Sequence, residues 1–185
     1  MLFLCFFYCC YSTPSSPSQP PTETALLALR AATSADPHSS LARNWSADTT
    51  NPDVCHWVGV SCGARHRRVT ALNISGFSLT GSLRLQLGNL EFLTYFDISR
   101  NDFTGHVPPE LSRLRRLRKI NFGVNSLTGE IPSWLGALPR LERLSLWNNS
   151  FSGNIPPTIW KCRGLKRLLC PATIWIAWSH VRLGA

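Results

Sequence analysis

Acidic residues are scarce in this chain of 185 residues: 10 Asp and Glu stand against 19 Lys and Arg, for a formal net charge of +9. Such an excess suits nucleic acid or acidic surfaces, and equally a solvated basic face, which is the reading preferred here. Long apolar runs are missing too. The first eleven residues, MLFLCFFYCCY, form one, but a spanning helix needs about 20 such residues. No later stretch is apolar enough for a membrane span. There is no phosphate loop and no metal constellation. The histidines, His38, His56, His66, His106 and His180, have no carboxylate or nucleophile set beside them by a motif. No catalytic residue, metal or cofactor is therefore assigned, and no enzyme activity is expected.

What is present begins with that apolar opening. It runs into STPSSPSQPP, rich in Ser and Pro. An apolar core followed by small residues reads as a secretory signal peptide, although no Lys or Arg precedes it. The other reading, a buried N-terminal strand, is less favoured. Cleavage is expected between Ser12 and Ser18, so residues 1–20 are taken as signal peptide and leader. Export would remove Cys5, Cys9 and Cys10 and leave Cys55, Cys62, Cys162 and Cys170. Cys55 and Cys62 frame CHWVGVSC. A short loop between two cysteines suits a disulfide in an oxidising compartment. A metal pair with His56 or His66 is the alternative, weakened because no second cysteine pair lies at zinc-site spacing. Asn44, Asn73 and Asn148 stand in Asn-x-Ser sequons, which lean toward a secreted glycoprotein.

The middle of the chain repeats itself. Gly81, Gly105, Gly129 and Gly153 stand 24 residues apart, as do Leu93, Leu117, Leu141 and Leu165. Further apolar columns keep the same interval, and the unit reads LxxLxLxxNxLxGxIPxxLxxL. Fixed-period self-similarity marks a solenoid. In each unit LxL is a short strand with its apolar side chains on one face, and it cannot bury that face alone. Stacking the next unit pairs the strands and closes a continuous core. The asparagine column Asn101, Asn125 and Asn149 falls where the chain leaves the strand. Its amides are expected to satisfy backbone groups of their own coil and the neighbouring one. Cys162 occupies a leucine column and reads as a buried thiol.

The unit, with its LxGxIP segment, closely resembles the plant-specific class of leucine-rich repeats. Upstream, TETALLALRAATSADPHSSLARNWS followed by CHWVGVSC looks like the N-terminal cap of plant receptor-like kinases and receptor-like proteins. RHRRVTALNISG is similar to the subfamily containing immune pattern-recognition kinases. The resemblance implies an α/β leucine-rich repeat solenoid, with short parallel β-strands on the concave face and a helical cap. It implies Thr22 as helix N-cap and Trp45 and Trp57 packed beneath the helix. It divides the chain into a cap at 21–63, repeats at 64–167 and an atypical tail at 168–185. Phe77 and Arg84 depart from the pattern in the first repeat, and Thr173 and Ala177 depart from it in the tail.

The same resemblance implies extracellular recognition of a protein or peptide ligand, with a receptor kinase as further partner, in defence or developmental signalling. The kinase signatures are absent. The expected protein is secreted to the apoplast or held at the plasma membrane through a segment not in this chain. The favoured reading is a truncated receptor ectodomain. The alternatives are a secreted inhibitor of cell-wall-degrading hydrolases, resembling polygalacturonase inhibitors, and a full receptor kinase whose downstream exons are missing.

Stacked strands about 4.8 Å apart place equal repeat positions in columns. One column is Ala71, Tyr95, Lys119, Arg143 and Arg167. Others are Thr70, Thr94, Arg118, Glu142 and Lys166; Asn73, Asp97, Asn121, Ser145 and Leu169; and Ser75, Ser99, Gly123, Trp147 and Pro171. Tyr95, Lys119, Arg143 and Trp147 are the candidate ligand contacts, suited to a partner with acidic groups. In SRLRRLRK, Leu114 and Leu117 are core positions and Arg113, Arg115 and Arg116 point outward. The repeat splits these charges between faces, so no nucleic-acid partner is expected.

Overall fold

The computed structural model describes residues 21–34, 44–45 and 53–170. The expected leader at 1–20 and the part of the expected tail from 171 onward lie outside the described residues. A first helix, α1 (Pro21–Ala31), turns Ala25, Leu26 and Leu29 into the core. It begins one residue before the expected cap, so Thr22 lies in its first turn. Proline suits a helix start because its missing N–H would have no partner there. Trp45 and Trp57 are buried in the same core and stack with ring centroids 5.5 Å apart.

Beyond the cap the chain alternates between two sheets. Ordered along the chain, the strands are β1 (Thr33–Ser34), β2 (Val60–Cys62), β3 (Val69–Asn73), β4 (Thr80–Ser82), β5 (Tyr95–Asp97), β6 (Asp102–Gly105), β7 (Lys119–Asn121), β8 (Ser126–Glu130), β9 (Arg143–Ser145), β10 (Ser150–Ser152) and β11 (Arg167–Leu169). The inner sheet runs β11-β9-β7-β5-β3-β2, and the second sheet runs β1-β4-β6-β8-β10. Within the repeats all pairing is parallel, while β2 and β1 close the two sheets antiparallel at the N-terminal end. There β2 and β1 cover the edges that β3 and β4 would otherwise present. β11 pairs in register with β9 as far as Leu169, so the last strand continues into the first residues of the expected tail.

Each coil closes through a short 3-10 helix: Leu85–Asn89, Pro109–Arg113, Ser133–Ala137 and Pro157–Lys161. Pro108, Pro132 and Pro156 precede the last three, with φ of −62°, −64° and −59° as the ring dictates. The glycine column Gly81, Gly105, Gly129 and Gly153 takes positive φ throughout, which side chains resist.

The repeat columns form the core. Leu93, Leu117 and Leu141 are buried, as are Phe96, Ile120 and Leu144 beside them. Fully burying one such side chain stabilises the fold by about 1.5–3 kcal/mol. Leu114 and Leu117 are buried while Arg113, Arg115 and Arg116 are exposed, as the pattern requires. The Arg116 guanidinium lies over the Phe92 ring, 4.6 Å from its centroid. Cys162 departs from expectation: it is only half-buried, with Sγ 3.5 Å from the Leu141 carbonyl oxygen. Its coil is the last described, and its neighbours Leu165 and Leu168 are likewise only partly covered.

The asparagines stand in line along the stack. Asn101 Oδ1 accepts from the Phe77 and Leu79 N–H groups of the preceding coil, and its Nδ2 donates to the carbonyls of Ile74, Ile98 and Ser99. Asn125 accepts from Phe103 N–H and donates to Ile98 and Phe122 carbonyls. Asn149 accepts from Leu127 N–H and donates to Phe122, Leu146 and Trp147 carbonyls. One side chain thus serves backbone groups on two coils at the point where the strand ladder ends.

Candidate functional site

Ladder register turns sequence columns into spatial ones. Ala71, Tyr95, Lys119, Arg143 and Arg167 are successive partners across β3, β5, β7, β9 and β11. So are Asn73, Asp97, Asn121, Ser145 and Leu169. On the inner face the members from β5 to β11 line a cavity of about 700 Å³, whose lining also includes Trp147, so all four candidate contacts, Tyr95, Lys119, Arg143 and Trp147, border it.

The four candidate residues differ in what they offer. Tyr95 is half-buried and its hydroxyl donates to Asp97 Oδ2 at 2.7 Å. Burial, then that hydrogen bond, then the carboxylate's charge push the phenol up to about 12. It stays protonated, and its one hydroxyl proton is committed to Asp97. Asp97 itself is buried, and accepts also from Ser99 N–H, Ser99 Oγ and Asn121 Nδ2. A buried carboxylate with this many donors is satisfied within the wall of the site. What Tyr95 has left for a ligand is ring surface.

Lys119 and Arg143 are exposed, and so is Arg167, the next member of their column. Among the described residues none of the three has an ion pair. Trp147 is 46% exposed and packs against Gly123, where an ideal Cβ would stand 2.6 Å from the indole Nε1. Only the missing side chain at 123 allows the ring to lie there. Ser145 Oγ is buried nearby with no hydrogen-bond partner.

The neighbouring column behaves differently. Arg118 Nε donates to Glu142 Oε1 at 2.6 Å, and Lys166 Nζ lies 3.5 Å from Glu142 Oε2. The hydrogen bond from Arg118 chiefly holds the Glu142 carboxyl below its usual range. Glu142 therefore neutralises part of the basic surface and leaves a single file of unpaired cations, Lys119, Arg143 and Arg167. Adjacent opposite charges on paired strands were the signal for this ion cluster in the sequence, and Arg167 was legible as the next step of the column.

At the cap, Cys55 and Cys62 form a disulfide. That pairing leaves no thiolate for a metal with His56 or His66, and the described residues contain no group of three metal-ligating side chains. No described helix is long and apolar enough to cross a membrane.

Comparison with known proteins agrees with the fold. Residues 23–63 match the leucine rich repeat N-terminal domain, and residues 92–114, 116–138 and 140–162 match the leucine rich repeat itself. The LRR receptor-like serine/threonine-protein kinase EFR of Arabidopsis thaliana is 35% identical over 77 residues, covering 42% of this chain. The match spans only 7% of that kinase. The solved leucine-rich repeat ectodomain of the membrane receptor kinase GASSHO1/SCHENGEN3 from Arabidopsis thaliana, in complex with CASPARIAN STRIP INTEGRITY FACTOR 2, superposes with a TM-score of 0.72 at 34% identity. It covers 80% of this chain and 18% of that one. The structure of the BIR3–SERK2 complex from Arabidopsis thaliana aligns over 79% of both chains, with a TM-score of 0.71 and 30% identity. Shared coil geometry, repeat unit and cap together mean that this chain belongs to the leucine-rich repeat family, in the form carried by plant receptor ectodomains.

Proposed function

We propose that this chain is an extracellular recognition module of a plant leucine-rich repeat receptor-like protein, and that its inner face binds a protein or peptide ligand through acidic groups. The observation that carries the reading is the column Lys119, Arg143 and Arg167. It is exposed, lacks counter-ions among the described residues, and shares a cavity with the exposed indole of Trp147. Cations about 4.8 Å apart suit a ligand that brings several anions in a row. An aromatic beside arginines is a common interface anchor. Relatives solved with CASPARIAN STRIP INTEGRITY FACTOR 2 or as the BIR3–SERK2 complex support a ligand plus a receptor kinase partner. The Cys55–Cys62 disulfide supports an oxidising, extracellular setting. The role is binding rather than catalysis, in defence or developmental signalling.

A fluorescent peptide carrying a Glu triplet tests this directly. The full chain should bind it with an affinity that falls as salt rises. The triple variant Lys119→Ala, Arg143→Ala, Arg167→Ala should lose at least tenfold. Equal binding by the wild type and this variant overturns the assignment.

A further inference from the structure

The three sequons are not equivalent in the fold. Asn44 is half-buried in the cap, and its Oδ1 accepts from Val58 N–H. Asn148 is exposed beside Trp147. Asn73 is exposed on β3, on the inner face, in the column of Asp97 and Asn121.

Two features leave the Asn73 side chain available. The Nδ2 groups of Asn101, Asn121, Asn125 and Asn149 all donate to protein acceptors. Asn73 Nδ2 has no partner among the described residues. Only its Oδ1 is engaged, by Ser75 N–H at 3.3 Å and Ser75 Oγ at 2.9 Å, the hydroxyl of its own sequon. The Asn73 side chain is also exposed, although β2 runs beside its backbone, where Asn73 N–H donates to the Gly59 carbonyl at 2.7 Å.

We propose that Asn73 carries an N-linked glycan that closes the N-terminal end of the inner face and confines ligand to the coils of β7, β9 and β11. The inference rests on the extracellular reading above. Attachment forms a bond from Nδ2 to the anomeric carbon of a lipid-pyrophosphate-linked oligosaccharide. The lipid pyrophosphate leaves and the amide gives up one proton. Transfer acts on the unfolded chain; the fold decides whether the product can be kept. Keeping it needs an Nδ2 that no backbone group requires and an unroofed position, and Asn73 has both. The charge layout agrees with the fence. The free cations begin at Lys119, two strands and about 10 Å from the strand of Asn73. Between them β5 presents Tyr95 and Asp97 already bonded to each other. A glycan lying there covers no ligand-directed charge.

The full chain, expressed through the secretory pathway of plant cells, decides the matter by glycopeptide mass spectrometry. Asn73 should be occupied. Glycan at Asn148 with Asn73 bare overturns the proposal and leaves export standing. Bare asparagines at every sequon overturn both. The fence has its own readout, with two peptides: a Glu triplet, and the same triplet flanked on both sides by neutral residues long enough to overhang β5 and β3. Glycosylated protein should bind the flanked peptide several-fold more weakly than the triplet. The gap should close in Asn73→Gln and in Ser75→Ala, which removes the sequon while keeping Asn73. An unchanged gap in both variants overturns the fence. Failure of the triplet itself to bind counts against the ligand reading, and the glycopeptide map still decides occupancy.

Discussion

The indole of Trp147 fills the place that a side chain on Gly123, one coil earlier, would take. A Cβ built at 123 would meet Nε1 at 2.6 Å and Cδ1 at 2.7 Å. Gly123→Ala should therefore push the ring off its seat. The backbone at 123 is compatible with alanine, so the unfolding free energy from urea titration should change little, by no more than about 1 kcal/mol. Tryptophan fluorescence and affinity for the acidic peptide should both change. An unaltered spectrum with unaltered binding would show that the indole contributes nothing to the site.

The asparagine ladder gives a graded stability test. Asn101 is buried and makes five hydrogen bonds to backbone groups of two coils. Asn149, one residue from the exposed Asn148, makes four. A buried backbone group left unpaired costs about 1–3 kcal/mol. Asn101→Ala should lower unfolding free energy by about 3 kcal/mol or more, and Asn149→Ala by less. Denaturant curves in which the two variants coincide would contradict the ladder's energetic role.

Tyr95 should titrate late. Its phenol is raised from 10.0 to about 12, first by burial and then by Asp97. Because the folded state favours the protonated form, its contribution to stability is complete below pH 10 and is lost as pH rises toward 12. Tyr95 is the only tyrosine after Tyr11, so phenolate absorbance of a leaderless preparation reports on it alone. A midpoint near 10 in protein that circular dichroism shows to be folded would rule out the Tyr95–Asp97 bond.

Glu142 should act as a brake on anion binding. Its carboxyl is held low chiefly by the Arg118 hydrogen bond. That stabilising contribution is present above the ordinary carboxylate range and fades as pH falls through the lowered value. Thermal midpoints of the wild type and Glu142→Gln should converge in strong acid. At neutral pH the variant frees Arg118 and Lys166, so the acidic peptide should bind several-fold tighter. Weaker binding by Glu142→Gln would mean that the carboxylate positions the site rather than screens it.

Much of this was open to reading from the residues alone, and the exceptions have physical causes. The inner strands were legible because LxL alternates and because leucine recurs every 24 residues. The second sheet was not. Segments such as Asp102–Gly105 and Ser126–Glu130 carry one buried apolar residue each, Phe103 and Leu127. Their pairing is made by backbone groups brought together through stacking, and no side-chain pattern announces it. The cation column could be written down from the period, but not its accessibility. Arg118 and Lys166 look like Lys119 and Arg143 in sequence and differ only because Glu142 lies between them.

The coil, its core columns and the asparagine line could be read from the residues, because each depends on a residue meeting its own copy one period away. Which inner-face groups remain free was decided by tertiary structure. Neighbouring columns compete there for the same partners: Asp97 engages Tyr95 and Asn121, Glu142 engages Arg118 and Lys166, and Lys119, Arg143, Arg167 and Asn73 Nδ2 are left facing solvent. Such competition turns on distances of a few ångströms between chain segments that the period aligns but does not measure.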